Sequence, residues 1–259
     1  MERVQLKIFW SDEKIVSPER ECVIILIDVL RASSFIAVAM NKNAQRVIVT
    51  KEKEEALQIK KDNDTFILAG ERGGKKLEGF DINNSPCAIE NIAQDKTFIL
   101  NSGNFCSVVE GYANKCIPVI AGSLLNAKEI AMFICKKEYK VVYLIPIGTY
   151  HFKGKQYQKP LHTEEDLIGA LFIAHEISKK KKIDIEIPEK YLPYFSHEKK
   201  FEELFLELKY PKYLFSIDDK QQTNKKDIGL CIQLNKYPCV PFLDDEKKPY
   251  FFKRNFQNS

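Results

Sequence analysis

Cys22-Val-Ile-Ile-Leu-Ile-Asp28 is a run of apolar residues that ends in an acid, and Val29-Leu-Arg31-Ala-Ser33-Ser34 follows it directly. A short, continuous run rich in isoleucine reads as a strand buried on both faces, the kind found inside a parallel sheet. Helical periodicity follows over residues 33–41, then a second strand at 46–50 and a polar-faced helix at 51–61. Strand, helix, strand, helix is the rhythm of an α/β protein. It continues with strands at 65–68, 97–100, 116–120 and 140–145 and helices near 104–113 and 124–135. The expected fold is therefore α/β, a layered α/β/α arrangement around a largely parallel or mixed sheet.

The rhythm changes in the last third. A helix is expected at 164–178, then a Lys-rich surface segment, a charged helix near 198–209 and a strand candidate at 229–234. Residues 150–160 carry Gly154, Pro160 and several polar side chains. They read either as a long connection within one domain of 259 residues or as the seam between two α/β lobes.

Composition narrows the class of function. Hydrophobic residues make up 44% and charged residues 29% of the chain, the balance of a folded globular protein. The longest apolar runs, 22–27 and 141–145, fall far short of the roughly 20 residues a membrane helix needs. The start, Met1-Glu-Arg-Val with Asp12, Glu13 and Lys14 close behind, lacks the pattern of a signal peptide, so a cytoplasmic location is expected. Seven scattered cysteines without a CxxC read as free thiols rather than as disulfides or a zinc site. A net charge of +4, with the lysines interspersed among acids, gives no footprint for nucleic acid. Homo-oligomerisation is compatible with all of this and is left open.

In open α/β sheets ligands collect at the carboxyl ends of the strands, and polar residues recur there in this chain. Asp28, Arg31 and Ser33 stand at the first such end, where an acid can offer hard oxygen to Mg²⁺ and the guanidinium can hold an oxyanion. A helix cap with a neighbouring ion pair is the plainer reading of the same residues. The richest loop holds Gly70-Glu71-Arg72-Gly73-Gly74 and then Gly79-Phe80-Asp81-Ile82-Asn83-Asn84-Ser85-Pro86. Turn chemistry explains its glycines and asparagines but has no particular need of Glu71, Arg72 and Asp81 together. Asn101-Ser102-Gly103-Asn104 and Gly122-Ser123-Leu-Leu-Asn126 place small polar groups at two further helix starts, where Ser123 with Asn126 also has the spacing of a capping pair. Thr163-Glu164-Glu165-Asp166 opens the helix after that; it suits a cap and the helix dipole, and it makes Glu165 or Asp166 a candidate metal ligand or base if that turn faces the cleft.

Other chemistries find little support. There is no Gly-Lys-Ser/Thr phosphate loop, no GxSxG elbow and no HExxH, and the four histidines form no metal-binding spacing.

Taken in order, Ile27-Asp28-Val-Leu-Arg31-Ala-Ser, Leu68-Ala-Gly-Glu71-Arg72-Gly-Gly, Gly79-Phe80-Asp81, Asn84-Ser85-Pro86, Gly122-Ser123-Leu-Leu-Asn126-Ala and Glu165-Asp166-Leu-Ile-Gly-Ala resemble the motif series of the 2-phosphosulfolactate phosphatase family. Asp227-Ile-Gly-Leu-Cys-Ile and Val240-Pro241 resemble that family's ending. The resemblance implies a Mg²⁺-dependent phosphatase that converts 2-phosphosulfolactate to sulfolactate and phosphate, a step toward coenzyme M. It implies Asp28, Glu71 and Asp81 as metal ligands, with Glu165 or Asp166 joining them in acid–base work. Arg31 and Arg72 would hold phosphate and sulfonate, with Ser33, Asn84, Ser85, Asn101, Ser102, Ser123 and Asn126 as further substrate contacts. Two stretches depart from the family pattern: Asn101-Ser-Gly-Asn104 stands where relatives carry Thr-Asn-Gly-Thr, and Pro146-Ile-Gly148 where they carry Cys-Ala-Gly. Both leave room for another small phosphorylated acid as substrate, or for a paralogue that binds anions without turnover.

Overall fold

The structure is a computed structural model and describes residues 4–13, 21–72, 75–137, 139–152, 155–196, 198–217 and 223–254. Of the residues singled out above, Met1, Glu2, Arg3, Lys14, Gly73, Gly74 and Gly154 lie outside these segments.

The first half runs β1 (Gln5–Ile8), β2 (Cys22–Ile27), α1 (Ala32–Asn41), β3 (Arg46–Thr50), α2 (Lys53–Asp62), β4 (Ile67–Arg72), β5 (Lys75–Lys76), α3 (Pro86–Ile89), β6 (Thr97–Ser102) and α4 (Gly103–Tyr112). The second half runs β7 (Val119–Gly122), α5 (Ala127–Lys137), β8 (Val141–Pro146), β9 (Thr149–Phe152), β10 (Lys155–Leu161), α6 (Glu164–Lys181), α7 (Glu198–Leu206), α8 (Lys209–Ser216), α9 (Thr223–Cys231), β11 (Pro241–Asp244) and β12 (Phe251–Arg254). No described helix is long and apolar enough to cross a membrane.

Ten strands form one sheet in the order β1-β8-β2-β7-β11-β12-β3-β6-β4-β5. β1, β8, β2 and β7 are mutually parallel, as are β3, β6 and β4. Between these blocks lies the hairpin of β11 and β12, antiparallel to β7 on one side and to β3 on the other. Three antiparallel steps reverse the direction along the ladder, so the two parallel blocks run in opposite senses. The α/β expectation holds, with a sheet that is mostly parallel and mixed at the hairpin and at the β4–β5 edge.

Side chains alternate along β2: Val23, Ile25 and Ile27 pack with α5 and α6, while Ile24 and Leu26 pack with α1. In the other block Ile48, Leu68 and Ile99 pack against Ala56 of α2. Helix α1 is buried from Ala32 through Met40, polar Ser33 and Ser34 included. A helix buried all round has a partner on every side, and the core around α1 draws on β2, β3, β6, β7, β8 and β12. All seven cysteines are free thiols, four of them buried.

One expected element is overturned. Residues 229–234 do not form a strand; α9 runs to Cys231 and its buried residues include Asn224, Asp227, Ile228 and Cys231. Those positions fall at i, i+3, i+4 and i+7, a helical face whose polar members hide the period from a hydropathy reading.

Candidate active site

The turn after β2 is closed on itself. The Ser33 hydroxyl donates to the Asp28 carbonyl at 2.7 Å and accepts from the Asp28 amide at 3.0 Å, while Ser34 Oγ donates to the Val29 carbonyl at 2.8 Å. Asp28 Oδ1 accepts from the Ala32 amide at 3.1 Å, so the acid does cap α1 as the plainer reading holds, yet it also faces a cleft. The walls of that cleft come from the turn after β2 (Asp28, Arg31), the end of β4 (Glu71, Arg72), Asn84, the β6–α4 junction (Ser102, Gly103, Asn104), Gly148 and Thr149 after β8, the first turn of α6 (Glu165, Asp166) and Tyr210 of α8. Carboxyl ends of both parallel blocks therefore meet here, although the blocks run in opposite senses.

Gly169 explains how α6 reaches the turn. A Cβ at this position would lie 2.7 Å from Val29 Cγ2 and 2.9 Å from Ile27 Cγ2, closer than packed atoms allow. Bare backbone lets the helix rest on the end of β2. Glu165, one turn earlier on the same helix face, is thereby brought beside Asp28. Asp166 is used differently: Oδ1 accepts from the Val29 amide at 2.8 Å and Oδ2 from the Gly148 amide at 2.9 Å. It clamps the turns after β2 and β8 together.

Burial and crowding raise these acids. Asp28 is pushed up to about 7 by burial, with Glu71 adding to the rise and the Ala32 amide and Arg31 opposing it. Glu165 is pushed up to about 8, chiefly by burial and further by Asp28 and Glu164, against a hydrogen bond from Thr163. Asp166 is also raised, by burial, then by Glu165 and Asp28, while its two amide donors pull it back. Tyr210 is raised by burial and by the charges of Glu71, Glu165 and Asp28. Without further positive charge the cleft therefore retains protons that exposed carboxylates would have lost.

Two arginines face the acids, each held from behind. Arg31 is 2% exposed, and its Nη1 donates to Asp227 Oδ2 at 2.6 Å and to Asn224 Oδ1 at 3.0 Å. Burial alone would lower its pKa; Asp227 and Glu71 more than offset that, so the guanidinium stays charged. Asp227, fully buried, also accepts from Ser85 Oγ and from the Cys87 amide at 3.1 Å. Arg72 Nη2 donates to Asn101 Oδ1 at 2.8 Å, and Asn101 Nδ2 is spent on the Thr50 and Lys51 carbonyls. The Arg72 guanidinium lies beside Gly103 at the start of α4. Ser102, the N-cap residue of α4, makes no side-chain cap bond, so no cap side chain closes off the first-turn amides. A guanidinium beside an open helix N-terminus is suited to an oxyanion.

Of the residues expected from sequence, Asp28, Arg31, Glu71, Arg72, Asn84, Ser102, Glu165 and Asp166 line the cleft. Ser33, Ser85 and Asn101 stand behind it as braces. Asp81 is a correction: it does not line the cleft, because its Oδ2 accepts from the Leu68 amide at 2.8 Å near the opposite end of β4 and pairs with Lys60 at 3.4 Å. Ser123 and Asn126 are a second correction, forming a capping box in which Asn126 also donates to the Ala121 and Cys239 carbonyls. Tyr210 and Asp227 were not foreseen as site residues. Asp227 stands three residues from Asn224, one helical face with two polar members, and that spacing was the signal available.

The model of the family described as 2-phosphosulpholactate phosphatase matches residues 11–246. A protein of Carboxydothermus hydrogenoformans named probable 2-phosphosulfolactate phosphatase is 34% identical over 182 residues, 70% of this chain and 71% of that protein. One of Caldanaerobacter subterraneus subsp. tengcongensis with the same name is 31% identical over 227 residues, 86% of this chain and 88% of that protein. The chain belongs to the 2-phosphosulpholactate phosphatase family, and with it to the phosphoric monoester hydrolases.

Proposed function

We propose that the chain hydrolyses 2-phosphosulfolactate to sulfolactate and phosphate with Mg²⁺, in the cytoplasm and on a route to coenzyme M. The observation that carries the chemistry is that one cleft gathers Arg72 and the α4 N-terminus with the buried acids Asp28 and Glu165.

The donor set fits a hard divalent cation. Asp28 and Glu71 present carboxylate oxygen, and Asp28 is held protonated to about pH 7 by burial and by its neighbours, a strain that a cation would relieve. Among the described residues no three His, Cys, Asp or Glu side chains are grouped closely enough to hold a metal ion. Mg²⁺ is usually held by one or two carboxylates and completes its shell with water and substrate phosphate. Bound Mg²⁺ would supply charge neutralisation at the phosphoryl oxygens.

The chain's own groups do the rest. Arg72 and the first-turn amides of α4 receive the phosphate. Arg31, held in orientation by Asp227 and Asn224, receives a second anionic group of the substrate. Glu165, protonated at neutral pH in the metal-free chain, delivers its proton to the leaving oxygen as water takes that oxygen's place on phosphorus, and a proton from that water restores the carboxyl group. Asp166 keeps the turns that carry these groups at a fixed separation.

Phosphate release from 2-phosphosulfolactate by the purified chain, with and without Mg²⁺, tests the reading. Turnover that requires the metal is expected, and a folded protein that releases nothing would sink it. Ser102 lines the cleft where the family pattern carries Asn, and this favours one second reading, a Mg²⁺-dependent phosphatase for another small phosphorylated acid. A panel of such esters run alongside separates the two.

A further inference from the structure

Asn84 is 3% exposed and lines the cleft, and among the described residues its Oδ1 has no hydrogen-bond partner. It is the one buried side-chain oxygen or nitrogen among them in that position. A buried amide oxygen left without a donor costs stability, so its persistence calls for a ligand.

The chemistry of that ligand is restricted. The phosphoryl, sulfonate and carboxylate oxygens of an ionised substrate only accept hydrogen bonds, as does an amide oxygen, and would repel it. Asp28 and Glu71, which line the same cleft, are acceptors too when ionised. A set of acceptor oxygens is satisfied by a cation.

We infer that Asn84 is a ligand of the divalent cation, its Oδ1 supplying the neutral oxygen that completes the set with Asp28 and Glu71, directly or through a coordinated water. The inference rests on the Mg²⁺ reading above. It assigns to metal a residue whose motif position suggested only a substrate contact. Ser85, next in sequence, is held by Asp227, so the same buried carboxylate that orients Arg31 also fixes the loop presenting Asn84.

The test is calorimetric titration of the full chain with Mg²⁺ in the absence of substrate, for the parent, Asn84→Ala and Asn84→Asp. Asn84→Ala is expected to weaken Mg²⁺ binding at least about tenfold, the loss seen even for groups one layer behind a metal. Asn84→Asp, which keeps the oxygen and adds charge, should bind as tightly or more so. The metal-free Asn84→Ala protein should melt at or above the parent temperature, because it loses an unpaired polar group. Equal Mg²⁺ affinity in parent and Asn84→Ala overturns the role of Asn84 alone. Loss of affinity in Asn84→Asp equal to that in Asn84→Ala, or a large drop in metal-free melting temperature, overturns it as well. A parent protein that takes up no Mg²⁺ removes the metal reading itself.

Discussion

Asp227 Oδ2 accepts a hydrogen bond from Arg31 Nη1 at 2.6 Å across 196 positions of sequence, with both side chains almost wholly buried. The pair is the attachment of α9 to the turn after β2. Removing one member leaves the other charged and without its counter-ion, at a cost of about 3–5 kcal/mol, whereas replacing both with apolar groups of similar volume is far milder. Asp227→Ala is therefore expected to lower the unfolding free energy by about that amount in urea denaturation, and Arg31→Met with Asp227→Leu to lower it less than Asp227→Ala alone. Additive losses would mean that the two side chains do not act as a unit.

Glu165 is expected to act in its protonated form, so activity should fall on the alkaline side, and with Mg²⁺ bound the fall should come below the value of about 8 that burial and Asp28 give the metal-free acid. Glu165→Gln keeps the size and hydrogen-bonding reach of the side chain and removes the transferable proton. Its kcat should drop about 10²- to 10⁴-fold with KM nearly unchanged, and the alkaline limb of the pH–rate profile should vanish. A profile identical to the parent's would exclude the proton-donor role.

The raised acids also set a pH dependence of stability. Asp28 and Glu165 titrate near 7 and 8 in the folded chain against ordinary values of 3.8 and 4.5, so between roughly pH 5 and 7 the folded state binds more protons than the unfolded one. From these two groups, stability is greatest below their ordinary values and is lost as pH rises toward 8. Mg²⁺ should compensate, raising the melting temperature more at pH 8.5 than at pH 5.5. Equal shifts at the two pH values would separate the cation from these carboxylates.

Asp81→Asn should leave kcat and KM essentially unchanged. The residue holds the Leu68 amide and a half-exposed pair with Lys60, worth less than about 1 kcal/mol. Steady-state kinetics on this variant distinguish the cleft acids from an acid that merely shares their loop; a large loss of kcat would return Asp81 to the site.

How much could be read in advance follows from which forces leave a local trace. The run that forms β2, the acid that ends it and the helix behind it were legible because apolar burial on both faces of a strand demands consecutive apolar residues. Arg46–Thr50 matched for the same reason. The hairpin of β11 and β12 left no such trace, since its strands are four residues each and largely half-exposed. In the site, Asp28, Glu71, Arg72 and Glu165 could be named from strand ends and helix starts. Which acids converge could not, because Glu71 and Asp81 are ten positions apart in one loop region and only the register of β4 sends the first to the cleft and the second away. Asp227 stayed hidden because its partner, Arg31, is remote in sequence.

The hairpin between the two parallel blocks has a consequence for synthesis. A nascent chain halted before residue 241 holds every strand of both blocks and neither strand that joins them. Halted before α9, it also holds Arg31 without its partner Asp227. The walls of the cleft are thus all translated before the two strands that join the blocks they stand on.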